Sequence, residues 1–233
     1  MNNDETLISV VVPVFNEELT IGNVIERLAV VAQKNGLKHE VIIVDDCSKD
    51  RSLKISKSFG VKVFSLETHV GKGYTLRVGF AKAKGEIITT IDSDGSHRPE
   101  ELPSLLTPII QNKADLVIGS RYLSQNPLVT KRLNAIGVRL FNFLIKVLTR
   151  ADVSDSQSGY RVMKASVLQN MRLNSNGYEI ESEMLVKTIR QGLRVGEVPI
   201  SFEQRTYGAS RLDPMADGLK ILFSIILAYI RDG

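Results

Sequence analysis

The chain predicts an α/β protein with a mostly parallel central sheet covered by helices on both faces, ending in an apolar C-terminal helix. Three observations lead there. Short β-branched apolar runs alternate with segments of three- and four-residue apolar spacing, the signature of strand–helix–strand units. Acidic and polar residues collect where successive runs stop. With 233 residues, no internal repeat and scattered prolines, the chain suits one large domain with a sizeable core.

The elements follow in order. Ile8 to Val14 is a continuous apolar run and reads as a buried strand that ends at Asn16. Ile21, Val24, Ile25, Leu28 and Val31 trace one face of a helix that Gly36 stops. Glu40 to Val44 is a second buried strand, ending at Asp45 and Asp46. A short helix is expected over Asp50 to Phe59, and a third strand over Val61 to Ser65. Gly73 to Ala83 reads as helix, Glu86 to Ile91 as strand, Glu100 to Gln111 as helix, and Asp115 to Ile118 as strand. A further strand is expected over Ser158 to Met163. Two apolar helices are expected late in the chain, over Lys131 to Arg150 and Leu219 to Ile230.

Several function classes drop out on composition and motif. Gly71-Lys72-Gly73 lacks the third glycine of a dinucleotide fingerprint, and no Walker-type Gly-Lys-Ser/Thr occurs. The two glycines therefore read as a tight entry into the next helix, with Lys72 near a phosphate as the second reading. Cys47 is the single cysteine, so no intrachain disulfide forms and a reducing compartment is expected. The polar start, Met1 to Thr6, lacks the apolar core of a signal peptide. A net charge of +4 fits a phosphate-bearing ligand or an anionic membrane surface. No basic run with interleaved aromatics points to nucleic acid.

Ligands of parallel α/β sheets sit at the carboxyl ends of the strands. Asn16-Glu17, Asp45-Asp46, Asp92-Ser93-Asp94 and Gly119-Ser120-Arg121 all fall there. In extended chain, Asp92 and Asp94 would project to one side. Two such carboxylates supply only part of a hard cation's oxygen shell, and Mg²⁺ typically takes the rest from water and substrate phosphates.

Five segments carry a resemblance to a known family. They are Val-Val-Val-Pro-Val-Phe-Asn-Glu at 10–17, Val-Asp-Asp-Cys-Ser-Lys-Asp at 44–50, Gly-Lys-Gly at 71–73, Asp-Ser-Asp-Gly-Ser-His-Arg-Pro at 92–99 and Gly-Ser-Arg-Tyr at 119–122. Together they resemble the family-2 glycosyltransferases of the Rossmann-like A-type fold. The segments at 155–161 and 202–212 extend the match towards the dolichol-phosphate mannosyltransferase and polyprenyl-phosphate glycosyltransferase branch.

The resemblance implies an inverting transfer of a sugar from a nucleoside diphosphate to a dolichyl or polyprenyl phosphate, with Mg²⁺ or Mn²⁺. GDP-mannose is the first expectation for the donor. UDP-glucose, UDP-N-acetylglucosamine and a glycan hydroxyl acceptor are the alternatives. By the same resemblance Pro13, Phe15 and Glu17 form part of the nucleotide pocket, and Val44 and Asp46 hold base and ribose. Asp92, Ser93, Asp94 and Ser96 surround the diphosphate and sugar, with Asp92, Asp94 and Ser96 at the metal. Arg121 faces the acceptor phosphate or the donor, and Arg205 and Arg211 clamp phosphates. Ser96 stands where many relatives carry Gln, and Arg211 where many carry Lys. Asp94, Arg121 and Asp155 are the candidates for the chemistry itself, Asp155 as a base or as an acceptor-positioning carboxylate. An ionised phosphate acceptor needs little deprotonation, since its second pKa is about 6.

A 12-residue helix over Leu219 to Ile230 would be about 18 Å long, short of the roughly 30 Å hydrocarbon core. Lys131 to Arg150 carries Ile136, Leu140, Phe143, Leu144 and Val147 among Arg139, Lys146 and Arg150, the pattern of an interfacial helix. Core packing and a dimer contact are the competing readings for both. The expectation is a catalytic domain over residues 1–212 and a C-terminal apolar helix over 213–233. The protein is expected in the cytoplasm, peripherally bound to the cytosolic membrane face.

Overall fold

A computed structural model of the chain describes residues 6–124, 133–203 and 213–231, with the side chains of 133–135 left aside. Its centre is a seven-stranded sheet in the order β3-β2-β1-β4-β6-β5-β7. The strands are β1 (Ile8–Val14), β2 (His39–Asp45), β3 (Lys62–Ser65), β4 (Ile87–Thr90), β5 (Leu116–Ser120), β6 (Arg161–Lys164) and β7 (Val195–Pro199). All run parallel except β6, which pairs antiparallel with both β4 and β5.

Period-two alternation explains the continuous apolar runs. Along β1, Val10, Val12 and Val14 enter the core on one face of the sheet while Val11 enters the other. In β5 Val117 and its neighbours Leu116 and Ile118 divide the same way. A strand covered on both sides has no polar face to show.

The first face is covered by α1 (Ile21–Lys34), whose Ile21, Val24, Ile25 and Leu28 are buried as their spacing predicts, and by α4 (Leu102–Ile110). Short α2 (Ser52–Ser58) packs beside α1. The other face takes α3 (Lys72–Lys82), α5 (Leu133–Thr149), α6 (Ala165–Gln169), α7 (Ile180–Arg190) and α8 (Ala216–Arg231). Gly36 turns the chain out of α1 with φ 61°, as a C-terminal glycine should. The helix expected over Glu100 to Gln111 is split: Pro99–Glu101 is a 3₁₀ turn and the α-helix begins at Leu102.

Three elements were not anticipated: α6, α7 and β7. Helix α7 is the informative case, because Glu181, Ser182, Glu183, Lys187 and Thr188 are all buried in it. Helix α8 contributes Ile221, Ile225 and Ala228 to the same core cluster as β5. No helix among the described residues is long and apolar enough to cross a membrane.

Candidate active site

A cleft of about 350 Å³ opens at the carboxyl ends of β1 and β4. The sheet order reverses between these two strands, which is where open α/β sheets bind ligands. Pro13, Phe15, Glu17, Asp46, Asp92, Ser93 and Asp94 all line it, as expected from the sequence. Val44 and Ser96 do not line it. Val44 is fully buried in β2, in register with Pro13. Ser96 is buried as well and turned onto Asp94.

One wall of the cleft is aromatic. The rings of Phe15 and His69 stack with centroids 3.9 Å apart and planes 13° apart. Asp46 builds this wall. Its carboxylate pairs with His69 Nδ1 at 2.8 Å and accepts the backbone N–H groups of Val70 and Gly71 at 2.8 Å each. Asp46 thus organises the loop at the cleft's edge. His69 gave no signal in the sequence, because its partner lies on another strand end.

Gly71 and Gly73 are required by close approach. A Cβ on either would lie 2.5 Å from a carbonyl oxygen of Asn176 or Ser175, and Gly71 adopts φ 123° as it caps α3. The tight-entry reading of this segment therefore holds. It carries Lys72 into the cleft, where Nζ lies 2.6 Å from Asp92 Oδ1 and 2.7 Å from Glu181 Oε1.

Asp92 and Asp94 reach the cleft by a different route from the one the sequence suggests. The chain turns at Ser93-Asp94 instead of continuing as strand, and Ser93 Oγ donates to the Pro13 carbonyl at 2.8 Å to tie that turn to β1. Asp92 faces Lys72 with one oxygen and His97 Nε2, at 3.5 Å, with the other. Burial works against the Asp92 charge, but Lys72 and His97 together outweigh it and hold the carboxyl far below its usual range. Asp94 Oδ1 accepts from the Ser96 backbone N–H at 2.9 Å and from its hydroxyl at 2.6 Å.

Gly159 sits against this group: a Cβ there would lie 2.6 Å from Asp92 Oδ2 and 2.8 Å from Lys72 Nζ. Fully buried Arg161 supports the segment, donating to the carbonyls of Ser158, Glu181 and Ser156 at 2.7–2.9 Å. Burial pushes its guanidinium down to about 10.

Arg121 and Asp155 are brought together, and to each other. Arg121 Nε and Nη2 donate to the two oxygens of Asp155 at 2.7 and 2.8 Å, and its backbone N–H adds a third bond at 3.0 Å. Asp155 has no exposed surface, and both its oxygens are taken by Arg121. Arg121 lies with its guanidinium 5.5 Å from the Phe202 ring and is not part of the cleft lining. Burial opposes its charge; Asp155 more than offsets this and holds it protonated beyond the usual arginine range. Arg205 and Arg211 lie outside the described residues.

The glycosyl transferase family 2 model matches residues 9–172, the segment that contains every element of this cleft up to Arg161. The chain belongs to glycosyl transferase family 2. It is 31% identical to a UDP-N-acetylglucosamine–dolichyl-phosphate N-acetylglucosaminyltransferase of Methanococcus voltae, over 96% of each chain. It is 30% identical to a dolichol-phosphate mannosyltransferase of Pyrococcus furiosus, over 88% of this chain and 59% of that relative's length. Its fold superposes on glucosyl-3-phosphoglycerate synthase of Mycobacterium tuberculosis, solved with Mn²⁺, UDP and phosphoglyceric acid, with a TM-score of 0.76 at 23% identity over 97% of this chain and 79% of that one.

A divalent ion in a family-2 cleft of this kind needs hard oxygen ligands, and the residues present fit that need in part. Asp94 lines the cleft with its carboxylate, the donor chemistry Mg²⁺ and Mn²⁺ take. Asp92 lines it too, but both its oxygens face cationic or donor groups. The Ser96 hydroxyl is directed to Asp94, which makes Ser96 a buttress for that carboxylate. Among the described residues no three His, Cys, Asp or Glu side chains form a ready cage. Such a set suits an ion whose remaining ligands arrive with a diphosphate.

Proposed function

We propose that this family-2 glycosyltransferase moves a hexose from a nucleoside-diphosphate sugar to the phosphate of a polyprenyl or dolichyl lipid, inverting the anomeric centre. The observation that carries the reading is that one helix both borders the cleft and bears an exposed apolar face. The first turns of α8 bring Asp217 and Lys220 into the cleft, and the same helix leaves Leu219, Phe223, Leu227 and Ile230 exposed. Adjacent α5 leaves Ile136, Leu140, Phe143 and Val147 exposed, each 55% or more. A monomer seldom shows so much contiguous apolar surface without using it. A sugar cleft that opens beside a membrane-facing surface suits a lipid-borne acceptor, and basic Arg139 and Arg150, both exposed, suit an anionic leaflet.

Each group then has a task. The Phe15–His69 wall takes the flat face of the base, and Lys72 lies near the diphosphate. A divalent ion bound at Asp94 would neutralise charge on the departing diphosphate. Asp155 fixes Arg121 so that its Nη1 edge meets the acceptor phosphate, a fork suited to phosphate oxygens. Because a lipid phosphate is already anionic, positioning and electrostatics carry the step without a general base. Arg205 and Arg211 are proposed to bind phosphate, and the protein to work at the cytosolic leaflet.

The donor is the open choice within this reading. The relative matched end to end carries UDP-N-acetylglucosamine in its name, and the mannosyltransferase is matched over 59% of its length. Purified protein is to be given polyprenyl phosphate, Mg²⁺ or Mn²⁺, and labelled GDP-mannose, UDP-glucose or UDP-N-acetylglucosamine in turn. Label is expected in the organic phase with one donor, and Asp94→Ala is expected to lower that rate by a factor of 100 or more. Label that appears only on a water-soluble acceptor would remove the lipid from the proposal.

Docking is tested separately. Phe143→Glu with Phe223→Glu replaces two exposed apolar anchors worth roughly 1.5–3 kcal/mol each when buried. Flotation with anionic vesicles should fall at least tenfold, while nucleotide binding stays unchanged. Flotation equal to wild type would mean that these helices meet another surface.

A further inference from the structure

We infer that Lys72 is the resident counter-cation of Asp92, and that it keeps a divalent ion out of the cleft until the donor's diphosphate arrives. The inference rests on the glycosyltransferase reading above and deepens it.

Lys72 Nζ sits between two carboxylates, 2.6 Å from Asp92 and 2.7 Å from Glu181. Its side chain is 16% exposed and that of Glu181 5%, so water does little to screen the group. Glu181 comes from buried α7, held there through its own carbonyl by Arg161. Among the described residues neither Glu181 oxygen takes a well-directed hydrogen bond, and the ion pair this carboxylate makes is with Lys72. Gly159 leaves the room in which the ammonium and the Asp92 carboxylate meet.

A doubly charged ion on Asp92 would lie within a few ångströms of this ammonium, in a place where like charges repel strongly. Asp92 therefore stays paired with Lys72, and the ion's protein ligand is Asp94. One carboxylate binds Mn²⁺ weakly alone, so the metal is taken up together with diphosphate oxygens. Lys72 makes metal binding conditional on donor binding.

Removing the ammonium should reverse this. In Lys72→Met, Asp92 and Glu181 are left as uncompensated carboxylates near Asp94, a set that attracts Mn²⁺ by itself. Free Mn²⁺ is titrated into donor-free protein and followed by electron paramagnetic resonance. Lys72→Met is expected to bind at least tenfold more tightly than wild type, and Lys72→Arg to bind like wild type. Adding Asp92→Asn to Lys72→Met should abolish the gain. If two uncompensated carboxylates prevent Lys72→Met from folding, Lys72→Met with Glu181→Gln keeps one of them and should still bind more tightly than wild type. Equal or weaker Mn²⁺ affinity in the folded methionine variants overturns the inference, as does a gain that survives Asp92→Asn. No acceptor or turnover enters this titration, so its failure is distinct from failure of the transfer assay.

Discussion

Gly159→Ala is expected to lower sugar transfer by a factor of 100 or more while leaving the protein folded. The added methyl would lie 2.6 and 2.8 Å from the Asp92 oxygens and 2.8 Å from Lys72 Nζ, well inside van der Waals contact. Neither side chain can step aside cheaply. Asp92 is short and held between Lys72 and His97, and Lys72 is held by Glu181 as well. The glycine is itself fixed, because its carbonyl accepts the Thr90 hydroxyl at 2.7 Å from the end of β4. The strain is relieved by moving the carboxylate, and a misplacement of about 1 Å can cost roughly 10²-fold in rate. Steady-state rates at saturating donor, beside thermal melting of both proteins, check this. Activity within threefold of wild type would mean that the Asp92–Lys72 geometry does not matter to transfer.

Breaking the Arg121–Asp155 pair should have the second large effect, first on stability. Asp155→Ala leaves a guanidinium that is 19% exposed without its carboxylate, and removing one partner of a buried pair costs about 3–5 kcal/mol. Arg121→Met combined with Asp155→Leu leaves no lone charge and should recover much of that loss, a coupling that a double-mutant cycle in urea reads directly. The chemical consequence separates positioning from base catalysis. With Asp155 as a positioning group, Asp155→Asn raises the KM for acceptor and leaves the shape of the pH–rate profile unchanged. Loss of all turnover in a fully stable Asp155→Asn protein, with loss of the acidic limb of that profile, would restore the base role.

The elements that set the sheet were legible because their burial is local and repetitive. Ile8–Val14 is apolar at nearly every position since both faces of β1 are covered, and α1 shows its buried face at helical spacing. The acidic strand ends were legible for the same reason: a charge at the close of an apolar run has few structural uses. Helix α7 was not legible, because its buried positions include Glu181, Glu183 and Lys187. Those residues read as a solvated surface until partners from distant segments are seen: Lys72 for Glu181, and the backbone of Asn174 and Ser175 for Glu183.

The site shows the same division. The segment Asp92-Ser93-Asp94 was found by type and position, yet its geometry was misjudged, since Ser93 ties a turn to Pro13 where extended chain was assumed. Asp155 was picked out as a carboxylate, and only the fold shows both its oxygens spent on Arg121. His69, Glu181 and Gly159 acquire their places from contacts between segments far apart in the chain. No spacing rule within one segment could have named them.

The claim at the centre of this account is that the sugar goes to a phosphate oxygen of a lipid. It is tested most directly by offering the preferred donor with polyprenyl phosphate in one reaction and the corresponding free polyprenol in another, and weighing the lipid products by mass spectrometry. The expected product is heavier than polyprenyl phosphate by one transferred sugar residue, with no glycosylated polyprenol formed. Sugar on the free alcohol at a comparable rate would contradict this, because that acceptor must be deprotonated and a general base would then be required.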